Sequence, residues 1–160
     1  MNQELVKFFA VNSLPHPIVG LLIATILYPF LNKEYQKRKN YVLLIAIPSL
    51  FGSEFPDIMH IIALLLKYRT FEIFKDIKVL EEGGIIYSVF HLHFPLILVV
   101  PCTVFLVIVI IKLLNLKLKN KIKIDKLPNY WLFYVGIISL LATLSHIAID
   151  YLDTIFFPEL

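Results

Sequence analysis

Charge is what this chain lacks over most of its length. No Asp, Glu, Lys or Arg occurs from Phe8 to Asn32, from Gly83 to Ile111, or from Leu127 to Ile149, and only Glu54 and Asp57 interrupt Asn40 to Leu66. A soluble domain of 160 residues needs a polar shell around its core, and 17% charged residues is too thin for one. The deficit excludes a soluble enzyme. A bilayer-spanning helix needs roughly 20 mostly apolar residues. The apolar stretches therefore predict an all-α integral membrane protein of about four transmembrane helices. They fall at about 15–31, 41–66, 90–114 and 129–152, in a single membrane domain covering 1–160.

Cysteine is nearly absent as well. Cys102 is alone, so no intrachain disulfide can form and the redox compartment is left unmarked. The residues before the first apolar stretch, Met1 to Ser13, mix Glu4 and Lys7 and lack a small-residue cleavage pattern, so that stretch is expected to remain as an anchor. The net charge of +3 comes from two short basic loops and calls for no nucleic acid.

Those loops orient the chain. Asn32 to Asn40 holds Lys33, Lys37, Arg38 and Lys39 against Glu34, and Asn115 to Lys126 holds five lysines against Asp125. The connection from Lys67 to Glu82 balances four basic against four acidic side chains, with apolar residues spaced for a short amphipathic helix at the interface. By the positive-inside rule both basic loops are cytoplasmic, which places both termini outside, in a multi-pass protein of the cell membrane. Pro48 to Asp57 carries two prolines, a glycine and two acids, and is expected to break the second span into two pieces.

With alternating helix directions, all five histidines come to the outer side. His16 opens the first span, Asp57 and His60 occupy the later half of the second, and His91 and His93 begin the third. His146, Asp150 and Asp153 end the fourth. Asp57 and His60 are three apart and His146 and Asp150 four apart, so each pair shares a helix face. Imidazole and carboxylate are ligands for a divalent metal ion, zinc first and then manganese or iron. Ionisable groups cost roughly 2.5–3.5 kcal/mol each inside a membrane on insertion scales, so they tend to be functional. His91 and His93 would point in nearly opposite directions on a helix. Pro95 suggests an extended His-Leu-His before the helix, and His93 is slightly favoured with both retained. For His16 alone, a hydrogen-bonded interfacial histidine is an equal reading, and Asp153 reads best as a solvated helix end.

Two segments resemble a known family. Ser53-Glu54-Phe55-Pro56-Asp57-Ile58-Met59-His60 resembles the Leu-Pro-Asp-Ile-Asp-His motif of the inner-membrane-associated metal-dependent hydrolases (the LexA-binding, YdjM-like membrane proteins). Leu144-Ser145-His146-Ile147-Ala148-Ile149-Asp150-Tyr151-Leu152 is similar to that family's Leu-Ser-His-x-x-x-Asp-x-Leu motif. His16 matches an early family histidine, and Ser88-Val89-Phe90-His91-Leu92-His93 stands where the family has His-Arg-Gly-x-Thr-His. Ser88 and Leu92 depart from that pattern, as does Met59 from the second acid of the first motif. The resemblance implies hydrolysis of an ester or phosphoester by a metal-activated water. His60, His93, His146 and Asp150 would be ligands, Asp57 a ligand or orienting group, His16 a completing ligand and Glu54 a general base. Membrane lipids are the expected surroundings and a lipid-linked molecule a candidate substrate. Two other functions fit the same residues: a non-catalytic membrane scaffold that binds a partner, and a carrier of protons or metal ions.

Overall fold

The computed structural model describes residues 15–71, 90–91, 93–117 and 127–156, the last four and Lys117 by backbone alone. Among these residues every regular element is helical. Helix α1 is Pro15–Leu27, followed by a 3-10 turn at Tyr28–Phe30; the short helices α2 (Lys33–Gln36) and α3 (Arg38–Tyr41) come next. A π-helical turn at Val42–Ala46 leads into α4 (Ile47–Tyr68), and α5 (Phe94–Lys117) and α6 (Trp131–Phe156) complete the bundle. The α-helical part of the first stretch stops at Leu27, short of the expected Leu31. Tyr28 precedes Pro29, and a residue before proline is disfavoured in the α region.

Three helical stretches are long and apolar enough to cross a membrane: Arg38–Tyr68, Phe94–Leu116 and Trp131–Leu152; Pro15–Phe30 is apolar but shorter. Their outward faces carry bare large apolar side chains, including Leu22 and Ile26 on α1, Ile97 and Phe105 on α5, and Phe133 and Leu141 on α6. So many exposed large apolar side chains on these helices belong against lipid or protein rather than water.

The expected break in the second span is not there: α4 runs unbroken from Ile47 to Tyr68. Each proline is compensated. Pro48 lies within the continuous helical stretch from Arg38 to Tyr68, directly after the π turn, whose wider backbone relieves the clash of the proline ring with the preceding carbonyls. Pro56 deprives the Gly52 carbonyl of its ordinary partner four residues on. The Thr143 hydroxyl of α6 stands 2.9 Å from that carbonyl and 2.9 Å from the Ser139 carbonyl of its own helix, so its single proton is shared between the two. The expected interfacial helix within Lys67–Glu82 falls largely outside the described residues.

Small residues bring α4 against both α1 and α6. A Cβ on Gly20 would lie 2.6 Å from Ser53 Oγ and 2.9 Å from the Ser49 carbonyl, and Ser49 Oγ already donates to the Gly20 carbonyl at 2.6 Å. A Cβ on Gly52 would collide with the Ser139 backbone of α6. Without a hydrophobic drive between helices in lipid, such close approach and hydroxyl-to-carbonyl bonds are the means of association. The end of the bundle near the loops at 31–46 is apolar inside: Leu31, Tyr35, Leu44, Ile45, Val107, Ile111, Val135 and Ile138 form one buried cluster. The other end is where the polar residues meet.

Candidate metal centre

Each long helix, or the turn that leads into it, brings a buried histidine to that end. His16 lies in the first turn of α1 and is buried, held deep by the approach of α1 to α4 one turn later at Gly20. Asp57 and His60 share a face of α4, while His146 and Asp150 share a face of α6. His91 comes from the turn that leads into α5 and is buried.

His146 is the hub. Its ring is fully buried, and Nδ1 lies 2.5 Å from the Ser53 carbonyl oxygen. A carbonyl can only accept, so Nδ1 carries the proton and donates. In the neutral ring Nε2 then presents a bare lone pair. That lone pair faces Asp150 Oδ2 at 3.1 Å, Asp57 Oδ1 at 3.6 Å and His91 Nε2 at 3.3 Å. His91 Nε2 in turn stands 2.5 Å from Asp150 Oδ2, and His16 Nε2 stands 3.6 Å from Asp150 Oδ1. Two carboxylates and several imidazole nitrogens thus converge on one small volume. A cation at their centre, or a proton on His146, relieves the repulsion among these acceptors.

The spacing fits a cation. Ligands held at about 2.0–2.1 Å in tetrahedral array stand roughly 3.3 Å from one another. The His91–His146 nitrogens meet that value, and their ring centroids are farther apart, 5.1 Å, so the rings diverge from a common region. Two sets, His16–His146–Asp150 and Asp57–His91–His146, each gather one ligand atom per residue within 4.8 Å. The hydrogen bond from His146 to the Ser53 carbonyl is the kind of outer contact that fixes the tautomer of a metal-bound histidine.

Of the expected site residues, His16, Asp57, His91, His146 and Asp150 are brought together. His60 is buried beside them, its ring edge-on to His91 at 5.9 Å, and belongs to neither set. Glu54 is half-buried, with Oε1 enclosed and without a hydrogen-bond partner among the described residues. His93 is exposed and joins neither set, so His91 supplies the ligand atom that the sequence assigned slightly more readily to His93. The reason is backbone: residues 90, 91 and 93 are already in a helical turn, where positions two apart face opposite ways. The Asp153 side chain lies outside what the structure describes. Ser53 and Thr143 are the contributors that sequence reasoning missed. Ser53 acts through its backbone carbonyl and Thr143 through the carbonyl of Gly52, and the only trace of either was Pro56 four residues after Gly52.

Compared with known proteins, the chain matches no family model, no curated protein and no solved structure.

Proposed function

We propose that the chain is an integral membrane metal-dependent hydrolase acting on an ester or phosphoester, with a lipid-linked molecule as the candidate substrate. The observation that carries this reading is the His146 ring. One nitrogen is committed to the Ser53 carbonyl, and the other is aimed at two carboxylates and a second imidazole at ligand-to-ligand distances. His91, His146, Asp57 and Asp150 would hold a divalent cation, zinc first among candidates and manganese or iron next, with His16 at its edge. When bound, such an ion lowers the pKa of a coordinated water and polarises the oxygen of a substrate ester. Glu54, with its enclosed oxygen near Asp57, is the residue proposed to take the proton from that water.

The resemblance to the inner-membrane metal-dependent hydrolases supports the same reading through the two outer motifs. We read the shorter apolar helix Pro15–Phe30 as a fourth span, and the two basic loops then argue for both termini, and the polar end of the bundle, on the extracytoplasmic side. A substrate anchored in the bilayer would present its headgroup at that depth. A carrier is a poorer fit, because the opposite end of the bundle is filled by an apolar cluster with no ionisable path through it among the described residues. The scaffold reading draws on Ser88 and Met59, which depart from the family motifs.

The test is elemental analysis of detergent-purified protein. Stoichiometric divalent metal is expected, and it should be lost in His146→Ala and in Asp150→Ala with helix content retained. Metal-free wild-type protein that is folded and cannot be loaded by added zinc, manganese or iron would refute the hydrolase reading. If metal is present, release of alcohol from lipid phosphoesters separates an enzyme from a metal-stabilised scaffold.

A further inference from the structure

The two ligand sets share His146, yet a single nitrogen can serve only one cation. Resting on the metal-centre reading above, we infer that the site is built for two divalent cations bridged by the Asp150 carboxylate, and that His16 is the protein ligand belonging to the second.

The argument starts from Asp150. Its two oxygens face different histidines: Oδ2 faces His91 at 2.5 Å and His146 at 3.1 Å, while Oδ1 faces His16 at 3.6 Å. His91, His146, Asp57 and the Oδ2 side of Asp150 already supply four donor groups, as many as a tetrahedral ion takes once the His91–Asp150 hydrogen bond opens to admit it. His16 is surplus to it.

The arrangement of His16 agrees. Two imidazoles that radiate from one ion have centroids farther apart than their nitrogens, as His91 and His146 do. His16 instead stacks on His146, with centroids 3.8 Å apart and planes 28° from parallel. Stacked rings that both turn Nε2 toward one carboxylate serve neighbouring positions rather than one point. Cations in paired hydrolytic sites stand about 3.5–4 Å apart, a spacing comparable to the 3.8 Å between the two stacked rings. At 3.6 Å the His16–Asp150 pair is also too long for a hydrogen bond of ordinary geometry, but it suits two ligands of one ion.

Charge gives the second cation a use. Asp57, Asp150 and the neighbouring Glu54 bring three carboxylates, so one divalent cation leaves a negative charge uncancelled and a second makes the site positive. No Lys or Arg occurs in 15–31, 40–66, 90–111 or 127–156, so no side-chain cation of these segments can attract an anionic substrate into the bundle. A paired centre therefore suits a phosphoester, whose negative oxygens need that positive charge, rather than a neutral carboxylic ester.

The experiment is metal counting on the full chain in detergent, loaded with manganese, combined with paramagnetic resonance of the bound ions. The wild type should hold two ions per chain with a spin-coupled spectrum, His16→Ala should hold one with an isolated-ion spectrum, and His146→Ala should hold none. Inorganic phosphate should bind the loaded wild type and bind His16→Ala at least tenfold more weakly. One uncoupled ion per wild-type chain would overturn the paired centre while leaving the hydrolase reading standing. No ion at all would overturn both. Two coupled ions without phosphate affinity would overturn the phosphoester assignment. The wild-type spectrum decides the nuclearity even if the His16 variant does not fold.

Discussion

The two ends of this bundle are cut from the same apolar text and filled with opposite chemistry. At one end Leu44, Ile45, Val107, Ile111 and Val135 are buried with Tyr35 in a continuous apolar cluster. At the other, the buried His16, His91 and His146 meet the partly buried Asp57 and Asp150 in a knot of ligand atoms, with His60 buried beside them. The difference teaches how a small membrane protein can tolerate ionisable groups. Spread along the spans, each would cost several kcal/mol. Gathered at one end, they can share a cation, while the apolar end and the tight helix contacts between the two hold the frame. If that division is right, damage to the frame and damage to the site should be separable, except where one residue serves both.

Gly52 is such a residue, and its substitution should be the most harmful. It lies against the Ser139 backbone, and its carbonyl accepts from Thr143. In Gly52→Ala, α4 and α6 must move apart, at about 3 kcal/mol or more, toward the upper range of overpacking. Since those two helices carry Asp57, His146 and Asp150, metal should be lost with stability, and denaturant unfolding in detergent alongside metal analysis would show both. Ile111→Ala tests the other half of the comparison. It should cost about 2–4 kcal/mol by the cavity it leaves while metal content stays at the wild-type value. A loss of metal there would mean that the two ends are not independent.

Metal removal works on the polar end alone. Chelation should lower the thermal midpoint by an amount that corresponds to about 2.7 kcal/mol where free metal had been a hundredfold above its dissociation constant. Asp150→Asn should abolish the difference between loaded and stripped protein, and an undiminished response in that variant would remove Asp150 from the ligand set. A smaller effect is expected midway along the bundle. Thr143→Val leaves the Gly52 carbonyl bare opposite Pro56, at about 1–2 kcal/mol. In a Pro56→Ala background, where the helix regains its own N–H donor, the same change should cost distinctly less. Additive losses in that double-mutant cycle would show that the Thr143 bond is not a substitute for the missing helix bond.

The legible part of the molecule was the part governed by local pattern. Charge-free runs marked the long helices, and the i,i+4 spacing of His146 and Asp150 put both on the face that meets His16 and His91. What was hidden depended on partners far away in sequence. Pro48, Gly52 and Pro56 look like a helix break when taken alone; the hydroxyl that repairs it belongs to Thr143, 91 residues from Gly52. The choice between His91 and His93 turned on whether the helical path begins before Pro95, and proline is as acceptable in a first turn as at a boundary. The Ser53 contact uses a backbone carbonyl, which no side-chain motif records.

The smallest expected effect lies at the apolar end, where a single phenol joins two loops. Asn32 caps α2 by accepting from the Glu34 and Tyr35 amides, and Tyr35, fully buried, donates its hydroxyl to the Asn129 carbonyl at 2.6 Å beside the Tyr134 ring. Burial, and secondarily the nearby Tyr134, push the Tyr35 phenol up to about 12, whereas an unfolded tyrosine titrates near 10. Below about pH 10 both states hold the proton and the stabilisation is complete. Between about 10 and 12 the unfolded chain gives it up while the folded one keeps it, so stability must fall as pH rises through that window. Tyr35→Phe removes the hydrogen bond at about 0.5–1.5 kcal/mol near neutral pH and should flatten that alkaline decline. Metal content should not change, because nothing of the site is at that end. An alkaline decline of undiminished steepness in Tyr35→Phe would assign it to another tyrosine, whereas metal loss in the same variant would show that the closed end also sets the geometry of the open one.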